Sequence, residues 1–175
     1  MKRMHRPLAT VVAAAALSTV VSVGLIAANG VLAALIAREK TGRGQYIDTS
    51  LFESALAMCV WETTEYWASG ETPRAMGSAH RLSAPYQAFR TSDGYMTLAA
   101  LTSQQWLALC ATLDRRELAT DPRFETNAAR MANRAALVAE LERALSRHTT
   151  AEWVERLLVA GVPAGPIHDF AQVFA

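Results

Sequence analysis

Sixteen acidic side chains are the chain's source of carboxylate nucleophiles and general bases, and those standing at turns and helix starts have structural duties there. Glu53 closes Ser50-Leu51-Phe52-Glu53, a capping box in which the Ser hydroxyl and the Glu carboxylate each accept from a first-turn amide. Asp48 stands just ahead of that helix start, where a carboxylate helps satisfy open amides. Asp93 belongs to Thr91-Ser92-Asp93-Gly94, and Asp-Gly supplies the positive φ angles of a tight hairpin turn, so it reads as a turn residue and not an acid catalyst. Asp121 precedes Pro122, again a turn. The histidines His5, His80, His148 and His168 are scattered, without the His-Glu-x-x-His or Cys/His spacing that holds a metal, and His80 reads as a solvated loop residue. Cys59 and Cys110 each sit inside an apolar helical pattern, which makes them buried, reduced, unlinked thiols. Gly42 and Gly44 suggest a phosphate loop, yet they follow a helix and precede a strand, the reverse of the order that aims helix N-terminal amides at phosphate. With Gln45 and Asp48 they form a structural turn.

The elements that must position these residues follow from period and punctuation. An apolar helix over Gly24 to Lys40 ends in a charged last turn and then Gly42, where a left-handed residue is needed. Tyr46-Ile47 read as a short strand. A helix starts near Leu51, and Phe52, Ala55, Leu56, Cys59 and Val60 fall at helical spacing while Leu51, Met58 and Trp61 add apolar surface elsewhere, so it is buried on more than one face. Ser69 to Ala84 is a loop. Tyr86 to Phe89 and Tyr95 to Ala100 form a β-hairpin. Capping boxes at Thr102-x-x-Gln105 and Thr149-x-x-Glu152 open two helices. Between them, Leu137, Leu141 and Leu145 with Val138 and Ala144 mark an amphipathic helix ending near His148. The helix carrying Trp153, Val154, Leu157 and Leu158 is stopped by Gly161 and Pro163. Ala164 to Ile167 is a candidate strand, and Asp169 caps a last helix that runs to Ala175.

A chain of 175 residues can bury one core, or one core and a small appendage. With 17 basic against 16 acidic residues it projects no long-range field to gather nucleic acid. Lys2, Arg3, His5 and Arg6 precede an uncharged run from Pro7 to Ala37, long enough to cross a bilayer or serve as a signal-peptide core. That run is rich in Ala, Gly and Ser and poor in Leu and Phe, and an internal helix that is polar nowhere is buried, in protein as readily as in lipid.

Four ordered motifs carry a resemblance. They are Arg38-Glu39-Lys40-Thr41-Gly42-Arg43-Gly44-Gln45, Ala84-Pro85-Tyr86-Gln87-Ala88-Phe89-Arg90-Thr91-Ser92-Asp93-Gly94-Tyr95, Asp121-Pro122-Arg123-Phe124 and Gly161-Val162-Pro163-Ala164-Gly165-Pro166. Together they resemble the class III CoA-transferases, which include formyl-CoA transferase, carnitine CoA-transferase and α-methylacyl-CoA racemase. The resemblance runs from about Gly24 to the end. It implies an α/β to α+β fold of helices, short strands and a β-hairpin, with this chain as the C-terminal portion and the CoA-binding half missing. It divides the chain into an atypical segment 1–23, the family core helices and turn over 24–66, and a small α+β domain over 67–175.

The resemblance also implies chemistry. Such enzymes transfer CoA between carboxylic acids, with acyl-CoA and a free acid as substrates and no prosthetic cofactor. An aspartate attacks the thioester carbonyl to give a mixed anhydride, which the released CoA thiolate reopens. In relatives that aspartate stands 21 positions before the Thr of the Thr-Gly-Arg-Gly turn; here that position is Val20, whose isopropyl group cannot attack. Ser18, Thr19 and Ser22 are no substitute, because an ester on an unactivated hydroxyl is too poor a leaving group for the reverse transfer. By resemblance, the loop that holds His80 borders the region approached by substrate. The expectation is a cytoplasmic family protein, inactive as this piece, that is a homodimer or pairs with a complementary N-terminal half. The alternatives are a catalytically silent interaction fragment and a membrane-anchored or exported protein using residues 7–37.

Overall fold

In the computed structural model residues 5–174 are described, with residues 5–18 described by their backbone path alone. Lys2, Arg3 and Ala175 therefore lie outside the described residues, as do the side chains of His5, Arg6 and Ser18. The chain divides into two compact units, Met1–Arg74 and Ala75–Ala175.

In the first unit the small-residue run forms one helix, α1 (His5–Thr41). Its half-buried positions Ser22, Val23, Ile26, Ala27, Gly30, Ala34 and Ala37 fall at helical spacing, so one stripe is partly covered while Val20, Leu25, Leu32 and Ile36 remain exposed. Helix α1 packs with α2 (Leu51–Met58). Gly42 caps α1 with φ 67°, and its amide donates to Arg38 O at 2.8 Å, the left-handed stop that its position predicts. The chain then returns beside α1, and a Cβ on Gly30 would stand 3.1 Å from Ile47 Cγ2. Glycine at residue 30 is what lets this approach occur.

Several expectations fail in this unit. Tyr46-Ile47 do not form a strand; residues 43–50 are irregular, because a strand needs a neighbour for its amides and no strand exists among the described residues of this unit. The helix begun at Leu51 is interrupted at Cys59, where φ −91° and ψ 36° leave the helical region, and it resumes as α3 (Val60–Ser69). It is not buried on several faces: Ser54 is its one buried residue, while Phe52, Trp61 and Trp67 are exposed, since α1 and α3 cover α2 only in part. Cys59 is exposed with them, against the expectation of a buried thiol. The cap of α2 is Ser50, whose Oγ accepts from Glu53 N at 3.3 Å, and Asp48 plays no part in that first turn.

The second unit is a three-stranded antiparallel sheet, order β1-β2-β3, packed with helices. Strands β1 (Tyr86–Arg90) and β2 (Tyr95–Ala99) form the hairpin, with Tyr86 opposite Ala99 and Arg90 opposite Tyr95. Strand β3 (Ala164–Pro166) pairs with β2, Thr97 opposite Gly165. Along β2, Met96 and Leu98 are buried and Tyr95 and Thr97 exposed, the alternation of a sheet with one covered face. The core joins Phe89, Met96 and Leu98 to Trp106 and Leu109 of α4 (Ser103–Thr112), Leu137, Leu141 and Leu145 of α6 (Arg134–Leu145), and Trp153 and Leu157 of α7 (Thr150–Val159). Truncating one of these leucines to Ala costs about 2–5 kcal/mol.

The capping boxes at Thr102/Gln105 and Thr149/Glu152 are both formed, and a third, Asp169/Gln172, opens α8 (Phe170–Val173). Neither Asp93 nor Gly94 has a positive φ, contrary to the turn their pairing suggests. The connection spans four residues, with Thr91 N donating to Gly94 O at 2.9 Å. Three short features escape the sequence patterns: a 3-10 turn at Arg116–Ala119, α5 (Asn127–Ala132) and the buried Arg130 within it.

Candidate functional site

The segment from His80 to Ala84 has no regular secondary structure, yet its backbone is tied at alternate residues, His80, Leu82 and Ala84. His80 N donates to Tyr86 O at 2.8 Å, and His80 O accepts from Arg134 Nη2 at 2.7 Å. Leu82 N donates to His80 Nδ1 at 3.1 Å, while Leu82 O accepts from Asn127 Nδ2 at 2.9 Å. Ala84 N donates to Asn127 Oδ1 at 3.1 Å, and Ala84 O accepts from Arg130 Nε at 2.5 Å. Just upstream, Ala88 N donates to Ser78 Oγ at 3.1 Å. Such accounting makes this a built surface segment and not a slack connector.

The imidazole it carries is defined as well. The His80 ring stacks on Tyr86 with centroids 4.7 Å apart and planes 6° apart. Because Nδ1 accepts from Leu82 N, neutral His80 carries its proton on Nε2. The sequence reading of a solvated loop histidine is thus replaced by a half-buried one with a fixed tautomer.

The anchor beneath is Arg130, 3% exposed. Besides Ala84 O it donates to Phe124 O at 3.0 Å and Glu125 O at 3.3 Å, and its guanidinium carbon lies 4.8 Å from the Trp106 ring centroid. Burial pulls its pKa below the usual guanidinium range. Nearby, burial pushes the Cys110 thiol up to about 12, which makes it an inert core group. The Asp-Pro-Arg-Phe motif explains part of the anchor. Asp121 pairs with Arg123 at 2.7 Å, its carboxyl held below the usual range by that partner, and the turn puts Phe124 in the core with its carbonyl toward Arg130.

The Asp93 carboxylate is structural. Asp93 Oδ1 accepts from Thr150 N at 2.8 Å, Thr150 Oγ1 at 3.0 Å and Thr91 Oγ1 at 3.1 Å. It pins the hairpin turn to the first turn of α7, and the Thr150 amide leads the bonds that lower its pKa. Beside it lies an open cleft of about 560 Å³ lined by Tyr95, Val154, Glu155, Ile167, His168 and Gln172 among others. Among the described residues no group of three or more His, Cys, Asp or Glu side chains could hold a metal. Gly44 and Gln45 lie exposed in the irregular segment after α1, and Val20 lies on α1, 61% exposed.

The sequence pattern of CoA-transferase family III matches residues 9–175. The chain belongs to CoA-transferase family III. The match takes in residues 9–23 as well as the motifs downstream of Gly24. The chain is 41% identical over 143 residues to the acetyl-CoA:oxalate CoA-transferase of Acetobacter aceti, covering 82% of this chain and 37% of that protein. It is 35% identical over 157 residues to the succinyl-CoA:glutarate CoA-transferase of Homo sapiens, covering 90% and 36%. Its fold matches the crystal structure of a CAIB/BAIF family protein from Brucella suis with a TM-score of 0.74 at 42% identity, over 87% of this chain and 40% of that one. The chain therefore spans little more than a third of the length of these family III relatives.

The sequence pointed to the His80 loop only through that resemblance, and missed Asn127, Arg130 and Arg134 altogether. Their signal was faint: they are three of the four polar residues within eight positions, two of them cations with no acidic partner at i±3 or i±4.

Proposed function

We propose that this chain supplies the C-terminal part of an enzyme that exchanges CoA between carboxylic acids, and that alone it is catalytically silent. The observation that carries the reading is the family match over residues 9–175 together with relatives named as CoA-transferases for oxalate and glutarate. Acyl-CoA and a free carboxylic acid are then the substrates: an enzyme carboxylate takes the acyl group as a mixed anhydride and releases CoA thiolate, which reopens the anhydride, so that acyl and CoA groups exchange through covalent enzyme intermediates. By the same resemblance Val20 fills the nucleophile position and has no carboxylate to offer, and the upstream region present in relatives provides most of the CoA pocket. The His80 segment borders the substrate in this reading, which fits a loop held so firmly without belonging to the sheet. We place the protein in the cytoplasm, a compartment that keeps a thiol such as Cys110 reduced.

The test is exchange of isotopic label between an acyl-CoA and free oxalate or glutarate. The unmodified chain is expected to show none, and Val20→Asp alone none either, because a carboxylate must also be held in line with a bound thioester and positioning accounts for about 7–11 kcal/mol in well-oriented reactions. Val20→Asp combined with the upstream region of the Acetobacter relative supplied in trans is the combination expected to turn over. Turnover by the unmodified chain would refute the placement of the nucleophile at Val20.

A second reading is favoured by the exposed Phe52, Trp61 and Trp67: a silent chain that acts by pairing through this apolar surface, as a homodimer or with a complementary N-terminal half. Equal lack of exchange in every combination, with a stable complex formed, would favour it.

A further inference from the structure

We propose that the cleft enclosed by the hairpin turn, α7 and the segment from β3 to α8 binds an organic cation, a guanidinium or primary ammonium carried on a short apolar stem. The site stands apart from the CoA-transfer reading. Acyl-CoA and carboxylic acids are anions, and the charges that line this cleft repel them.

Two walls of the cleft are fixed by bonds of their own. At the hairpin turn Thr91 Oγ1 lies 2.7 Å from Thr150 Oγ1, Gly94 N donates to Thr91 Oγ1 at 3.2 Å, and Asp93 Oδ1 accepts from the Thr150 amide. Thr91 is 3% exposed, so these bonds are made away from water and hold the turn against α7. On the other side the capping box of α8 closes the segment from His168 to Gln172: Asp169 N donates to Gln172 Oε1 at 2.8 Å, and Gln172 N donates to Asp169 Oδ1 at 2.9 Å. The space between, about 560 Å³, is of the size that takes a small ligand.

The chemistry of the lining selects the ligand. Asp93 and Glu155 contribute two carboxylates, and no Lys or Arg stands among the described residues that line the cleft. The start of α7, whose amides would favour an anion, is already answered by Asp93 through the Thr150 amide and by the Thr149 cap, so the charge left over is negative. Among the described residues, the Tyr95 hydroxyl, the Glu155 carboxylate and the His168 imidazole make no hydrogen bond or ion pair; their polar groups have no structural duty. Tyr95 and Ile167 are 54% and 50% exposed and, with Val154, give the cleft apolar sides for a stem, while the Tyr95 ring adds a face that attracts a cation. A bare metal ion fits less well. It would leave those apolar sides uncovered, and among the described residues no group of three or more His, Cys, Asp or Glu side chains could hold one.

The test is saturation-transfer difference NMR on the full chain, which reads weak binding even to a self-associated protein, with n-butylguanidinium as the probe. n-Butanol carries the same stem without charge, and butyrate carries the opposite charge. Stronger transfer to n-butylguanidinium than to either control is expected. Glu155→Gln removes a charge at almost unchanged volume and breaks no bond among the described residues, so it is expected to fold as the parent does and to weaken n-butylguanidinium about fivefold, the upper end for one exposed ion pair. Glu125→Gln makes the same change of charge at an exposed residue outside the cleft and is expected to leave binding unchanged. Acetyl-Gly-Arg-Gly-amide presents the guanidinium on a peptide: displacement of the probe by it assigns the site to an arginine side chain of another protein, and binding of the free cation without displacement assigns it to a small molecule, either result supporting a cation site. Transfer to butyrate or n-butanol as strong as to n-butylguanidinium, equal weakening by Glu155→Gln and Glu125→Gln, or no transfer to n-butylguanidinium would overturn the proposal. None of these results bears on CoA transfer, which the label-exchange assay decides separately.

Discussion

Replacing Arg130 by Met and by Ala separates the contribution of its charge from that of its volume. Three bonds from a charged donor gain about 1.5–3 kcal/mol each, and the Trp106 stack adds about 0.5–2 kcal/mol. Against this stands a desolvation penalty of several kcal/mol for a guanidinium that is 3% exposed. Met keeps most of the stem's packing and removes that penalty, but it leaves Ala84 O and Phe124 O without their donor at about 1–3 kcal/mol each. The balance is a net loss of roughly 1–3 kcal/mol, with Ala costing about 2 kcal/mol more through the cavity it opens. For a core of this size each kcal/mol lowers Tm by about 4–8 °C, so Met is expected to melt roughly 5–20 °C below the parent and Ala lower still. Lys keeps the charge but not the fork, and is expected to fall near Met. The assay is thermal unfolding of the full chain followed by circular dichroism. A Met variant as stable as the parent, or more so, would refute the reasoning, because the three carbonyls would then need no donor.

Native alkylation is expected to modify Cys59 and leave Cys110 untouched until the protein is denatured, since the first is exposed and burial pushes the second up to about 12; two modified thiols in the native state would contradict the packing of α4. Asp93, Asp121, Glu117, Glu140 and Glu152 all have folded pKa values below their ordinary ones. Their stabilisation is therefore full above about pH 5 and is lost as pH falls from about 4 through the folded values. Cys110 acts with the opposite sign, its contribution being lost as pH rises from about 8.5 toward its folded value. Urea midpoints across pH that stayed flat at both ends would contradict these shifts. Residues 75–175, which hold the whole buried cluster, are expected to fold alone with a single cooperative transition, whereas the full chain is expected to scatter light as an oligomer because of the uncovered surface of α1–α3. A clean 19.0 kDa monomer of the full chain would argue against that surface as a contact. Helix α1 contains a stretch, Thr19–Thr41, long and apolar enough to span a bilayer, so residues 24–175 are to be fractionated: recovery in the soluble fraction is expected, and retention in carbonate-washed membranes would make the helix a span.

What the sequence disclosed depended on how far each residue reaches. Thr102, Thr149 and Asp169 bond to amides three positions on, and Gly42 closes on Arg38, so a window of a few residues contains the whole interaction and the pattern is readable. Asn127 reaches Leu82 and Ala84 across 45 and 43 positions, and Arg130 reaches Ala84 across 46. No periodicity marks such a bond, because each side chain is chosen by a backbone that only the tertiary fold brings near. The hairpin shows both regimes. Alternation reveals β1 and β2, whereas the conformation of Asp93 is hidden from a local reading, since its carboxylate answers to Thr150, 57 positions away, as well as to Thr91 in its own turn. Burial misleads for a related reason. The residues around α2 and α3 are apolar on several sides, which states that surface must be covered without saying by what, and the described chain covers it only in part. Cys59 and Cys110 looked alike by local pattern and differ in the fold, because burial belongs to the neighbour as much as to the residue. The family resemblance supplied what local physics could not, an expected class of substrate, while the side chains that hold the His80 segment come into view only when distant residues are placed together.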